Sequence, residues 1–207
     1  MRTIPREVCL SETQKAVLVG TLLGDGAIKL HGKNARLHIK HSRNQLPLVL
    51  YKYFVFANFI SMDVNVFEQR VGKKDYKFAE FVTHTHPEFT AYYDLFYPSF
   101  KKIVPANINV LLSNPLSFAV WIMDDGSAEY AGLSIQTHSF TAKDVQRLQE
   151  AILTNFEIET LTHKNKGRDI IYFPKQSLSK LRKQVFKFIL PEFKYKFLPY
   201  SARIQTP

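Results

Sequence analysis

Apolar positions along the chain switch between two periods, and the switches come twice in the same order. The stretch "KAVLVGTLLGDG" (15–26) and the stretch "LSFAVWIMDDG" (116–126) are near-continuous apolar runs of helical length, each ending on an acid followed by glycine. They predict helices over 14–25 and 115–125. After each run the period falls to two: Leu37 and Ile39 in "ARLHIKHS" match Leu133 and Ile135 in "GLSIQTHS", which reads as a strand in both places. The segments "NQLPLVLYKYFVFANFI" and "FTAKDVQRLQEAILTNF" return to helical spacing, the second with Thr141 as an N-cap. Two further hairpins turn near Gly72 and Gly167, and "HPEFTAYYDLFYPSFKKIVP" and "SLSKLRKQVFKFILPEFKYKFLP" close the halves as helices, with Pro98 matching Pro191 and Pro105 matching Pro199.

The pattern therefore predicts an α+β fold of two duplicated αββαββα halves related by a pseudo-twofold axis, 1–105 and 106–207. Each half carries one antiparallel sheet. In the first helix Ala16, Gly20 and Gly24 fall four apart and form a thin stripe. A glycine inside a helix costs about 1 kcal/mol against alanine, so Gly20 implies close approach of another helix. The natural partner is the second helix, where Ser117 and Ala119 offer smaller surface and Phe118, Trp121, Ile122 and Met123 fill the cores. Packing on the axis brings Asp25 and Asp125 together, with Gly26 and Gly126 expected as left-handed helix stops.

Such a pair of acids is in electrostatic conflict. Two carboxylates about 5 Å apart repel by roughly 3 kcal/mol at an effective dielectric of 20, and two helix C-termini add to the repulsion. A divalent cation removes it, and Mg²⁺ leads because it takes carboxylate and carbonyl oxygens and accepts phosphate oxygens as further ligands. One Asp-Gly after an apolar helix is ordinary turn chemistry. Two at matching positions of a repeat indicate a site.

Composition adds the partner. Lys and Arg outnumber Asp and Glu by 28 to 18, a net +10 spread along the chain, which points to a polyanion and most directly to nucleic acid. Cys9 is the only cysteine, so neither a disulfide framework nor a cysteine zinc site is expected. No apolar run reaches membrane-spanning length, and an intracellular location is expected, in an organelle or a bacterial cytoplasm.

The motifs "LVGTLLGDG" and "FAVWIMDDG" resemble the two copies of the LAGLIDADG motif, and "LSFAVWIMDDGS" is similar to the second motif of single-chain, intron-encoded homing endonucleases. The similarity covers nearly the whole chain. It departs at Val120, where the motif has glycine, and at Leu23, Trp121 and Met123. The resemblance implies a site-specific double-strand DNA endonuclease that hydrolyses phosphodiesters with divalent metal (Mg²⁺, with Mn²⁺ or Ca²⁺ able to replace it in binding) and leaves short 3′ overhangs. It implies Asp25 and Asp125 as catalytic metal ligands, aided by the carbonyls of Gly24 and Asp124. The Asp124 side chain is either a group supporting those ligands or a solvated helix end.

The repeat also pairs Lys102 with Lys196, each three residues before a proline. Either alone reads as a basic residue near a helix end; as a pair resembling the family's basic residues they become candidates to stabilise phosphate charge or to orient the attacking water. For DNA contact the strands and hairpins offer Lys29, Lys33, Arg36, His38, Lys40, Arg70, Lys73, Lys74 and Lys77 in the first half. The second half offers Gln136, His138, Lys164, Lys166 and Arg168. Two sheets on one chain make a monomer sufficient for a long asymmetric duplex. His84 and His86 read as structural or phosphate-adjacent, since two histidines on one strand face have no third ligand for a metal. The competing functions are an intron RNA maturase or DNA-binding regulator of the same fold without cleavage, and a nucleic-acid protein whose Asp-Gly pairs are only turns.

Overall fold

A computed structural model describes residues 5, 7–60 and 62–198; Pro199 lies outside them. Helix α1 (Glu12–Leu23) leads into strands β1 (Ala27–His31) and β2 (Asn34–Ser42), then α2 (Leu46–Val55), β3 (Asn65–Val71), β4 (Lys74–Val82) and α3 (Pro87–Phe96). A single helical turn, α4 (Ile108–Leu111), joins the halves. The second half repeats the order with α5 (Pro115–Asp125), β5 (Gly126–Glu129), β6 (Gly132–Ile135), α6 (Ala142–Phe156), β7 (Leu161–Asn165), β8 (Arg168–Pro174) and α7 (Lys175–Val185). Two antiparallel four-stranded sheets result, ordered β1-β2-β4-β3 and β5-β6-β8-β7.

The helix starts follow from local chemistry. Ser11 and Gln14 form a capping box at α1, which sets its beginning two residues before the predicted position. Asn114 caps α5, whose first residue is Pro115, and Thr141 with Asp144 forms a second capping box at α6. The closing helices are shorter than expected. The chain leaves α3 at Phe96 and α7 at Val185, and the C-terminal segment continues as 3₁₀ turns at Phe186–Phe188 and Pro191–Phe197.

Helices α1 and α5 are buried on nearly all sides, which is why their sequences are apolar all round. They cross at Gly20. A Cβ there would sit 2.2 Å from the Ser117 carbonyl oxygen and 2.8 Å from the Val120 Cβ. Val120, the residue that departs from the motif's glycine, thus fills the space that Gly20 leaves. Gly20→Ala is expected to lower stability by about 1–3 kcal/mol despite alanine's better helix propensity, because backbone must move; chemical denaturation measures it.

The glycines after the two acids are not left-handed stops. Among the described glycines only Gly32, Gly72 and Gly167 have positive φ, and Gly126 is extended at φ −70° and ψ 143°. Close approach demands them instead: a Cβ on Gly26 would lie 2.2 Å from Thr21 Cγ2, and one on Gly126 2.5 Å from the Ile122 carbonyl oxygen. At the tip of the β7–β8 hairpin Lys166 and Gly167 are both left-handed, as a two-residue hairpin turn requires.

Candidate metal centre and nucleic-acid interface

Each motif helix passes directly into the first strand of its sheet, and the acid stands at that junction. Asp25 lies two residues beyond α1; Asp125 is the last residue of α5. The helix ends carry carbonyl groups without helical partners, and a lysine from the end of each half meets them. Lys102 Nζ donates to the carbonyls of Gly24 at 2.7 Å and Gly26 at 3.0 Å. Lys196 Nζ donates to those of Ile122 at 3.2 Å and Asp124 at 3.1 Å, and to that of Met123. Neither lysine caps its own helix. Lys102 follows α3 in irregular chain, Lys196 sits on the last 3₁₀ turn, and each caps the motif helix of its own half.

The two aspartates differ in surroundings. Half of the Asp25 side chain is exposed, and the His41 imidazole holds its carboxyl below the usual range against the opposing effect of burial. Burial, with the charges of Asp25 and Asp124 added, pushes the Asp125 carboxyl up to about 8. Burial also lowers Lys102 and Lys196 to about 8, against the pull of the three aspartates.

The oxygens at the two helix ends are hard ones, the Asp25 and Asp125 carboxylates and the carbonyls of Gly24 and Asp124, the last two also accepting from Lys102 and Lys196. Among the described residues no group of three or more His, Cys, Asp or Glu side chains is arranged to hold a metal. A cation here would depend on two carboxylates, carbonyls and oxygens from outside the chain.

The Asp124 carboxylate is not part of that donor set. It is fully buried and bound at 2.7 and 2.8 Å by Lys52 Nζ, itself fully buried. His41 stands beside the pair, with Nε2 3.6 Å from Asp124 Oδ1 and Nδ1 3.5 Å from Asp25 Oδ2. Sequence reasoning did not single out Lys52 or His41, although both carried a signal. Lys52 interrupts the apolar helix "LPLVLYKYFV", and His41 continues the inward-facing series Ala35, Leu37, Ile39 of β2.

The sheet register sorts the basic residues by face. Residues paired across antiparallel strands share a face, so Lys29 with Arg36, and Lys40 with Glu80, stand opposite the core, together with His38 and Lys74. Lys40 lies over the rings of Phe67 and Phe78 and donates to Gln69 at 2.6 Å; His38 Nε2 is 3.1 Å from Glu80. Arg70 and Lys77 do not belong to this surface. They pair with Asp75 and Glu68 on the face that carries Ala79 and the core.

In the second sheet Lys164 pairs with Asp169 on the core-side face, as its salt bridge confirms. The outward face carries Arg168, His163 stacked on Tyr172, and a chain in which Asn165 donates to Gln136, Gln136 to Ser134 and Ser134 to the Glu129 carboxylate. Lys33, Lys73 and Lys166 occupy hairpin turns, and His138 is half-buried in the segment before α6. His86 caps α3, accepting from the Glu88 amide.

The duplicated halves, the packed motif helices and the paired acids define a class, and a family model matches it. Residues 15–181 match the LAGLIDADG DNA endonuclease family, and the chain belongs to that family. It is 29% identical to the cytochrome b mRNA maturase bI2 of Debaryomyces hansenii, across 92% of this chain and 76% of that protein. It is 26% identical to the DNA endonuclease I-ChuI of Chlamydomonas applanata, across 90% and 95%. Among solved structures, the homing endonuclease I-WcaI bound to its DNA recognition sequence superposes with a TM-score of 0.86, at 25% identity and covering 92% of this chain and 88% of that one.

Proposed function

We propose that this chain is a site-specific double-strand DNA endonuclease acting as a monomer on a long asymmetric duplex, with a staggered cut leaving 3′ overhangs. The observation that carries this reading is the pair Asp25 and Asp125 at the ends of two packed helices, one of them buried against like charge. A protein that only bound DNA would gain nothing from that arrangement beside a polyanion.

Asp25 and Asp125, with the carbonyls of Gly24 and Asp124, would hold a divalent cation that supplies charge stabilisation to the scissile phosphates and lowers the pKa of water. Lys102 and Lys196 keep two ammonium groups at the helix ends, where they offset the helix dipoles and stand ready to stabilise developing phosphate charge. The outward face of the first sheet supplies cations to the backbone, and that of the second, with Gln136, Asn165 and Ser134 beside Arg168, supplies hydrogen-bonding groups suited to base edges.

That division sets an expected result. Arg36→Ala with Lys40→Ala reduces the slope of log K against log salt by about 2, whereas Arg70→Ala with Lys77→Ala leaves it within about 0.5, as filter binding over a salt series measures.

The reading is tested by incubating the purified protein with a randomised duplex library and Mg²⁺ and sequencing the ends. Specific paired cuts with 3′ overhangs are expected. The similarity to a cytochrome b mRNA maturase favours a second reading, binding of intron RNA by the same fold. Enrichment of bound but uncut duplexes across a well-sampled library would shift the assignment to that reading or to a DNA-binding regulator.

A further inference from the structure

The repeat breaks at three positions together. Extending the match of Leu37 and Ile39 with Leu133 and Ile135 sets His41 against Thr137 and, in the following helices, Lys52 against Leu148; at the motif ends Gly24 stands against Asp124. These residues are distant in sequence, yet the fold brings the odd ones into one cluster. The Asp124 carboxylate fills the space left by Gly24, where a Cβ would lie 2.5 Å from Asp124 Oδ2. Lys52 binds both oxygens of that carboxylate, and the His41 ring, also buried, lies 3.5 Å from Lys52 Nζ and reaches outward to Asp25.

The other half has no such chain. Thr137 turns its hydroxyl to the Asp169 carbonyl at 2.7 Å, and Leu148 is part of the apolar core. Asp125 therefore lacks an imidazole behind it, whereas Asp25 rests on a ring that its buried neighbours keep from turning. An exposed carboxylate left to itself samples several rotamers; one held at an oxygen presents the other in a fixed direction.

We infer that His41 is a positioning residue for Asp25, braced by the buried Asp124–Lys52 pair, and that this one-sided brace makes the centre unequal, so that the two strands are cut in a fixed order. The inference rests on the nuclease reading. Its mechanism is geometric: the brace acts on Asp25 alone, so its loss slows the strand that depends on Asp25.

The test uses a supercoiled plasmid bearing one selected target, with each strand's nick followed separately. Native protein is expected to pass through a nicked circle opened on one strand. Asp25→Asn identifies the strand that depends on Asp25, and His41→Asn is expected to slow that strand roughly ten- to a hundredfold more than the other, with duplex affinity in Ca²⁺ unchanged. Equal slowing of both strands, or no change in their ratio, overturns the inference.

A second readout needs neither turnover nor a folded variant. In the native complex with uncut duplex, adding Ca²⁺ should shift the ¹⁵N resonances of the His41 ring more than those of any other histidine. An unmoved His41 ring overturns the inference as well. If native protein cuts neither strand, the nuclease reading fails; if it cuts both and only the His41 results fail, that reading stands alone.

Discussion

Asp25→Asn and Asp125→Asn each remove at least about a thousandfold of double-strand cleavage, a loss of about 4 kcal/mol in transition-state stabilisation of the affected cut, while duplex binding persists. The same substitution at Asp125 should make the metal-free protein more stable. Its carboxyl is pushed far above the usual range by burial and by two neighbouring acids, so the ionised form works against folding at neutral pH. Asparagine keeps the shape without the charge. A gain on the order of 1–3 kcal/mol is expected, a rise of several degrees in Tm for a chain of this size. Asp25→Asn should give no such gain, because His41 already favours its ionised form. Cleavage assays beside thermal unfolding in chelator check both halves of this expectation, and a destabilised Asp125→Asn protein would contradict the claim that burial disfavours the Asp125 carboxylate.

Lys52→Met should lower stability by about 3–5 kcal/mol, the usual cost of leaving one partner of a buried ion pair without compensation. Lys52 and Asp124 are both fully buried, and the remaining carboxylate would keep only the His41 ring beside it. Removing both charges, as Lys52→Met with Asp124→Ala, should restore most of the loss, since two apolar side chains need no partner. Denaturant unfolding of the native, single and double variants measures the coupling. A single variant as stable as the native protein would show that the pair is not what fixes the ends of α1 and α5.

The fold was legible because its signals are periodic and doubled. The apolar runs of α1 and α5, the alternation of β2 and β6, and the glycines of the hairpin turns each appear twice, and a pattern that recurs in order carries far more than one instance. Gly20 announced a helix crossing that the structure places against Ser117 and Val120. The boundaries were less legible: α1 begins at its capping box, and α3 ends before the segment that carries Lys102.

The site was legible where symmetry marked it and not where symmetry was broken. Asp25 with Asp125, and Lys102 with Lys196, stand at matching positions. The sequence leaves Asp124 open between a group supporting the metal ligands and a solvated helix end, because its partner, Lys52, lies 72 residues away on another helix. The basic hairpin residues could not be sorted by charge alone. Only the strand register separates Arg36 and Lys40 on one face from Arg70, Lys77 and Lys164 on the other.

The central claim is that Asp25 and Asp125 hold the divalent metal at which the duplex is cut. Crystals of the protein with its selected duplex, grown in Mn²⁺, test it most directly through the anomalous signal of the metal. The account predicts anomalous density in contact with both carboxylates and with the scissile phosphates. Density confined to other acids, or a complex that cuts the duplex with no metal at this pair, would contradict it.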